Sequence, residues 1–236
     1  MATTLNAATL LATWEAASVQ THLSRPLVLL AAVWPEHPAE EWAARPVGQR
    51  DAFLLRLREA WFGPAIETIA ACPVCGETLE VNFRTTDVLA VADTDAALEV
   101  VSDGHRVRFR LPTTEDLLEA TVLPPAQARQ RLLERCVEDM TALPSSAVEA
   151  ALRAMARADP QADVQIALRC PHCKNAWTLA FDIVSHLWAE VEDWAIRLLA
   201  DVHRLAVTYG WNEQEILSLT ARRRRIYLDL IEAEPD

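Results

Sequence analysis

The chain has 236 residues, 51% of them hydrophobic, enough to bury a core without relying on disulfides or metal to compensate for small size. Its formal charge of −12 argues against a general nucleic-acid binder, whose phosphate contacts need basic surface. The glycines, at 48, 63, 76, 104 and 210, are too scattered for a phosphate cradle, and no G-x-S-x-G or H-E-x-x-H motif occurs, so the common enzyme signatures are absent.

In chain order, the N-terminal MATTLNAATLLATWEAAS has no basic start and carries Glu15 where a secretion signal would be apolar. The longest uncharged apolar run, residues 26–35, is half of what a bilayer span needs. A soluble protein of a reducing cytosol is expected, where closely spaced cysteines point to metal or redox chemistry before structural disulfides. The first seventy residues read as helical. One helix fits about 5–18, and a second starts with Ser24 as N-cap and stops at Pro35. A third carries Phe53, Leu54, Leu57 and Trp61 at helical spacing until Gly63-Pro64 ends it.

The pattern then changes. Leu79, Val81 and Phe83 alternate in TLEVNF and predict a strand. Residues 98–112 predict a hairpin that turns at Asp103-Gly104. Thr114 is expected to cap a short helix, TEDLLEA; two more helices fit Pro124 to about Met140 and Ser145 to Ala158, with Pro160 closing the block. ADVQIALR and AWTLAF read as strands either side of a cysteine pair, and Asp182 is expected to cap a long helix to about Tyr209. Its buried stripe is Leu187, Val191, Trp194, Leu198, Val202 and Leu205. The other face, with His186, Glu190, Asp193, Arg197, Asp201 and Arg204, reads as a solvated surface laced with i,i+4 pairs such as Asp193–Arg197. Asn212 then caps a short helix after Gly210, and ARRRRIYLDLIEAE reads as a last one.

Two knuckles carry the chemistry. Cys72-Pro-Val-Cys75-Gly matches Cys170-Pro-His-Cys173-Lys, and Leu79, Val81 and Phe83 match Trp177, Leu179 and Phe181 at the same offset of 98 residues. The sequence therefore holds two copies of one small unit, a knuckle followed by a strand. Cys72, Cys75, Cys170 and Cys173 supply the four-thiolate set that structural Zn2+ prefers, one ion per chain, with no position left open for catalysis. A Cys-Pro-x-Cys turn also lets backbone N–H groups point at the sulfurs. Redox chemistry is the rival, but a thioredoxin-type pair opens a helix whose dipole acidifies the thiol, whereas each pair here leads into a strand. Structural zinc is worth about 10–16 kcal/mol in small peptides, against the ~5–15 kcal/mol that holds a whole domain. By analogy with a disulfide, clamping a loop of about a hundred residues offsets ~4–5 kcal/mol of chain entropy, and the expected task is to tie the middle insertion to the scaffold. Cys136 shares a stripe with Leu132, Leu133, Val137 and Met140 and reads as a buried apolar residue; His172 reads as surface, with a role as alternate ligand open, and His105 has no evident partner.

The expected fold is α+β: mostly helical, with a small antiparallel β region organised around a split four-cysteine zinc ribbon. Its parts are a helical region over 1–69, the first knuckle and hairpin over 70–112, a helical insertion over 113–160, the second knuckle and its strands over 161–181, and a long helix with a helical tail over 182–236, read together as one compact domain.

Taken in order, VGQRDAFLLRLREAWFG, ACPVCGETLEV, HRVRFRLPTTEDLL, ADPQADVQIALRCPHC and FDIVSHLWAEVEDWAIRLLADVHRLAVTYGWNEQEILSLTARRRRIYLDLI resemble the T4-type baseplate hub assembly chaperones of contractile phage tails and contractile injection systems. The resemblance covers nearly the whole chain. Lys174 departs from it, standing where a glycine often follows the second knuckle, and leaves the ligands intact. The resemblance implies a role in building the baseplate hub around the spike, with hub, spike or tail-tube proteins of the same gene cluster as partners. It also implies the bacterial cytoplasm as the place of assembly, whether the protein leaves as a chaperone or stays in the particle.

An acidic, mostly helical chain without a catalytic constellation suits protein–protein contact, and neither enzyme activity, nucleic-acid binding nor a membrane span is expected. Trp194 is expected in the core, while Trp42 and Trp211, beside loops, are candidate exposed interface anchors. The run Arg222, Arg223, Arg224 and Arg225 reads either as a basic helix end balanced by the acids of LDLIEAEPD or as a dock for an acidic hub partner. Two other functions stay open. A zinc-ribbon regulator or nucleic-acid binder predicts basic residues around the knuckles, where only Arg84, Arg169 and Lys174 stand; a dithiol oxidoreductase predicts an accessible, acidified thiolate.

Overall fold

The computed structural model describes residues 5–90, 98–140 and 143–233. In chain order the helices are α1 (Ala7–Ser18), α2 (Arg25–Val33), α3 (Ala39–Ala44), α4 (Val47–Phe62), α5 (Thr85–Val88), α6 (Thr114–Thr121), α7 (Pro125–Cys136), α8 (Ser145–Ala158), α9 (Ile183–Tyr209), α10 (Glu213–Ser218) and α11 (Ala221–Ala233). The strands are β1 (Ala65–Ala71), β2 (Thr78–Arg84), β3 (Glu99–Ser102), β4 (His105–Arg108), β5 (Val164–Arg169) and β6 (Ala176–Phe181). Helix dominates, and the strands form two-stranded antiparallel hairpins, β1–β2, β3–β4 and β5–β6. The chain divides into two compact units, Met1–His37 with Ser185–Asp236, and Pro38–Val184.

The unit built from both ends of the sequence is helical. Asn6 opens α1 because its side chain accepts the Thr9 N–H at 2.8 Å. Ser24 precedes α2 without capping it, its hydroxyl lying 3.0 Å from that of Thr21 instead; Pro26 fits the first turn, where no N–H is needed. Along α9 the predicted stripe points inward: Leu187, Val191, Leu198, Val202 and Leu205 are buried and Trp194 is half-buried. Ile216 of α10 and Leu228 of α11 pack with Leu198, Val202 and Leu205 in one core cluster. On the opposite face of α9, the exposed Arg197 pairs with the exposed Asp193 at 3.6 Å, whereas His186 and Glu190, 3.7 Å apart and also at i,i+4, are half-buried rather than fully solvated. Gly210, at φ +70°, ends α9 in the left-handed conformation that a side chain disfavours, and Asn212 and Glu215 cap α10 reciprocally at 2.9 Å each.

The second unit carries all three hairpins. Its core joins Val107 and Phe109 to Leu133, Cys136 and Val137 and to Ala147, Ala151 and Met155 of α8, so Cys136 is a buried apolar residue as the stripe implies. Asp103 and Gly104, both at positive φ, turn β3 into β4 at the predicted place. The cap of α6 is Thr113 rather than Thr114. Thr113 and Asp116 close a reciprocal capping box, while the Thr114 hydroxyl is buried and accepts from Arg50 Nη1 at 2.9 Å. The start of α4 is held from far along the chain: the Gly48 N–H donates to Asp159 Oδ2 at 2.9 Å, and a Cβ on Gly48 would lie 1.7 Å from Asp159 Oδ1.

The helical reading of the first seventy residues fails at β1. Ala65–Ala71 is a strand paired with β2 from Ala65↔Arg84 to Ala71↔Thr78. Ile66 and Ala70 face inward while Ile69 is 71% exposed, so apolar residues on both faces conceal the two-residue period. Among the described residues, no helix is long and apolar enough to cross a membrane.

Candidate metal centre

Each knuckle is the turn of a hairpin, and the two turns are built alike. In the first, the Cys72 N–H donates to Glu77 O at 2.8 Å and the Gly76 N–H to Cys72 O at 2.9 Å. In the second, the Cys170 N–H donates to Asn175 O at 2.9 Å and the Lys174 N–H to Cys170 O at 3.0 Å. The same offset that aligns the sequences aligns these bonds. Gly76 and Lys174 fill the same left-handed corner, at φ +73° and +63°. Lysine holds that corner with its Nζ donating to Pro171 O at 2.7 Å.

The four predicted ligands come together. The sulfurs of Cys72, Cys75, Cys170 and Cys173 all lie within 4.8 Å of one another. Cys72 Sγ is 3.6 Å from Cys173 Sγ, and Cys75 Sγ is 3.6 Å from Cys170 Sγ. A disulfide needs about 2.05 Å, and all of these cysteines are free. Tetrahedral thiolates held at about 2.3 Å from a metal stand ~3.8 Å apart. The donor set therefore fits a metal ion. Cys72 and Cys170 are buried, whereas Cys75 and Cys173 reach the surface.

The electrostatics favour a cation at the centre of the cluster. Burial opposes ionisation of Cys72, but the N–H groups of Cys75 and Val74 and the neighbouring thiols outweigh it and bring its pKa down to about 6. At Cys75 the Glu77 N–H favours the thiolate, yet burial and the other three sulfurs prevail and push it up to about 12. Sulfurs this close cannot all ionise together without a counter-charge, which a bound dication supplies. His172 is exposed on its knuckle, outside the sulfur cluster, and the exposed His105 bonds Asp103 O through Nδ1 at 3.0 Å.

The predicted partner residues separate. Trp42 is not an exposed anchor: it is fully buried, edge-to-face with Phe53 at 5.0 Å and covered by the Arg45 guanidinium at 4.5 Å. These neighbours, rather than the nearby loop, decide its burial. Trp211 is half-buried, stacked on Tyr209 at 4.8 Å and edge-to-face with Tyr227 at 4.9 Å. The four arginines do not act as one patch. Arg224 turns inward and donates to Leu219 O at 2.7 Å, Arg225 pairs with Asp229 at 3.1 Å, and Arg222 and Arg223 are exposed. Sequence reasoning also misses β1, which brings Cys72 to its place, and the buried Asp116, held by Arg110 and Arg135. The capping box around Asp116 was the available signal for the latter.

Residues 29–142, just under half of the chain, match the family model described as T4 bacteriophage base plate protein. The matched stretch includes the first knuckle and the β3–β4 hairpin and ends before the second knuckle. No curated protein and no solved structure matches.

Proposed function

We propose that the chain, whose residues 29–142 match the family model described as T4 bacteriophage base plate protein, is a non-enzymatic component or hub assembly factor of a contractile tail-like injection system. The family match carries the reading. In it the protein presents surfaces to hub, spike or tail-tube proteins of the same gene cluster during assembly in the bacterial cytoplasm. The sulfur cluster serves that task as a clamp, closing the chain between Cys72 and Cys173 within the second unit. We assign the metal as zinc, because four soft thiolates in a tetrahedral set suit that ion and leave no coordination position for substrate.

The experiment is affinity purification of the tagged full-length chain expressed with its intact gene cluster, paired with deletion of its gene. Hub, spike or tube proteins are expected to co-purify, and the deletion is expected to abolish assembled particles. Recovery of nucleic acid alone, with particles still assembled in the deletion strain, would overturn the reading. Detection of the chain in finished particles identifies a retained component; its absence from them identifies a transient assembly factor.

A further inference from the structure

Helix α11 has two opposed faces. Arg224 and Leu228, one turn apart, are buried in the unit formed by the chain ends. On the opposite side Arg222, Ile226 and Leu230 form a single row at i, i+4 and i+8, about 12 Å long at 1.5 Å per residue. Ile226 is 49% exposed and Leu230 52% exposed, so the row is apolar along its length and basic at one end. Arg223 and Tyr227 make the adjacent row. They line a cavity of about 300 Å³ together with Trp211, Glu215 and Leu219. The Glu215 carboxylate in that wall is already engaged, accepting the Asn212 N–H at 2.9 Å.

The charges on this face are placed against local physics. Arg222 and Arg223 stand in the first turn of α11, where the helix dipole disfavours cations, and that turn holds no acid. Among the described residues neither arginine makes an ion pair, whereas Arg225 and Arg204 on the same unit do. Uncompensated cations beside an exposed apolar row, on a chain of net charge −12, leave a face whose charge and apolar surface fit a complementary partner.

We propose that this face of α11 docks an acidic amphipathic helix of another baseplate protein. Carboxylates of that helix meet Arg222 and Arg223, its apolar row covers Ile226 and Leu230, and one side chain anchors against Trp211 and Tyr227. The inference rests on the baseplate reading and specifies the partner's chemistry. A nucleic acid fits less well, because its phosphates would leave Ile226 and Leu230 uncovered. The row also accounts for the division of the arginine run: two guanidiniums serve the fold or its surface pairs, and two serve the partner.

The test co-expresses the full-length chain, carrying a photo-crosslinking amino acid at position 226, with the hub, spike and tail-tube proteins one at a time. A crosslink is expected to a segment of one of them that places at least two Asp or Glu beside apolar residues at helical spacing. The double variant Arg222→Glu/Arg223→Glu is expected to weaken that complex at least tenfold with an unchanged melting temperature, and Ile226→Asp to do the same. Arg197→Glu, on the exposed face of α9, serves as the control and should leave affinity within about twofold. Complexes that form equally well with the α11 variants would overturn the docking face while leaving the baseplate reading standing. Crosslinks only to another copy of the chain or to nucleic acid would likewise overturn it. A wild-type chain that binds none of the three proteins would overturn both.

Discussion

Phe83 and Phe181 occupy the same position in the two repeats, and they meet edge-to-face with ring centroids 5.2 Å apart. The sulfur contacts obey the same exchange: Cys72 meets Cys173 and Cys75 meets Cys170, both at 3.6 Å, and replacing each cysteine by its counterpart 98 residues away turns one pair into the other. These are the contacts of two like hairpins related by a local two-fold. The aromatic pair is thus a second joint between the repeats, independent of metal. Phe83→Ala and Phe181→Ala are expected to show a coupling of about 0.5–1.5 kcal/mol in a double-mutant cycle measured by urea unfolding. Strict additivity would contradict the joint.

The left-handed corners of the two knuckles predict effects of opposite sign. Gly76→Ala places a side chain at φ +73°, where no neighbouring atom lies within 4 Å, so the cost is backbone strain alone, about 1 kcal/mol. Lys174→Gly relieves the same strain at φ +63° but loses the bond to Pro171 O, leaving a smaller gain of roughly 0.5 kcal/mol. Chemical denaturation of each variant in its metal-bound state measures both. A stabilising Gly76→Ala would show that the corner is not where the structure has it.

Acidic residues in the second unit give a pH dependence with a definite sign. Burial raises the Asp51 carboxyl from 3.8 to about 6, against the pull of Arg50. Between those values the folded chain keeps a proton that the unfolded chain releases. Its contribution is therefore complete below about pH 4 and is lost as pH rises through about 6. Asp116 is the reverse. Burial opposes its ionisation, but Arg110, Arg135 and Thr113 outweigh this and hold its carboxyl well below the usual range. Its contribution is present above the ordinary carboxylate pKa and is lost as pH falls through the lowered folded value. Relative to Asp51→Asn, the wild-type chain should lose on the order of 2–3 kcal/mol between pH 4 and pH 7. Parallel stability profiles for the two proteins would exclude this role for Asp51.

How far the sequence reveals the structure depends on how local the deciding contact is. The knuckles are readable because two cysteines three positions apart, repeated with matching strands, contain their chemistry within ten residues. The Asp103-Gly104 turn and the Asn212 cap are readable for the same reason. Thr113 and Thr114 cannot be ranked as caps locally, since Arg50, 64 residues earlier, draws the Thr114 hydroxyl inward. Gly48 resembles any helix-start glycine until Asp159, 111 residues on, fills the space beside it. Trp42 sits by a loop in sequence, but Phe53 and Arg45 enclose it. Strand β1 is hidden because Ile69 faces solvent and breaks the alternation that marks its partner β2.

The most direct test of the zinc clamp measures metal content and thiol reactivity on the purified full-length protein under native conditions. One zinc per chain is expected, with Cys72, Cys75, Cys170 and Cys173 unreactive until a chelator strips the ion, and loss of the metal in Cys72→Ser and Cys170→Ser but not in Cys136→Ala. Chelation should also make the chain between the knuckles easier to unfold, by several kcal/mol on the loop-closure analogy. A zinc-free protein whose four knuckle thiols react freely while the fold stays intact would contradict the clamp.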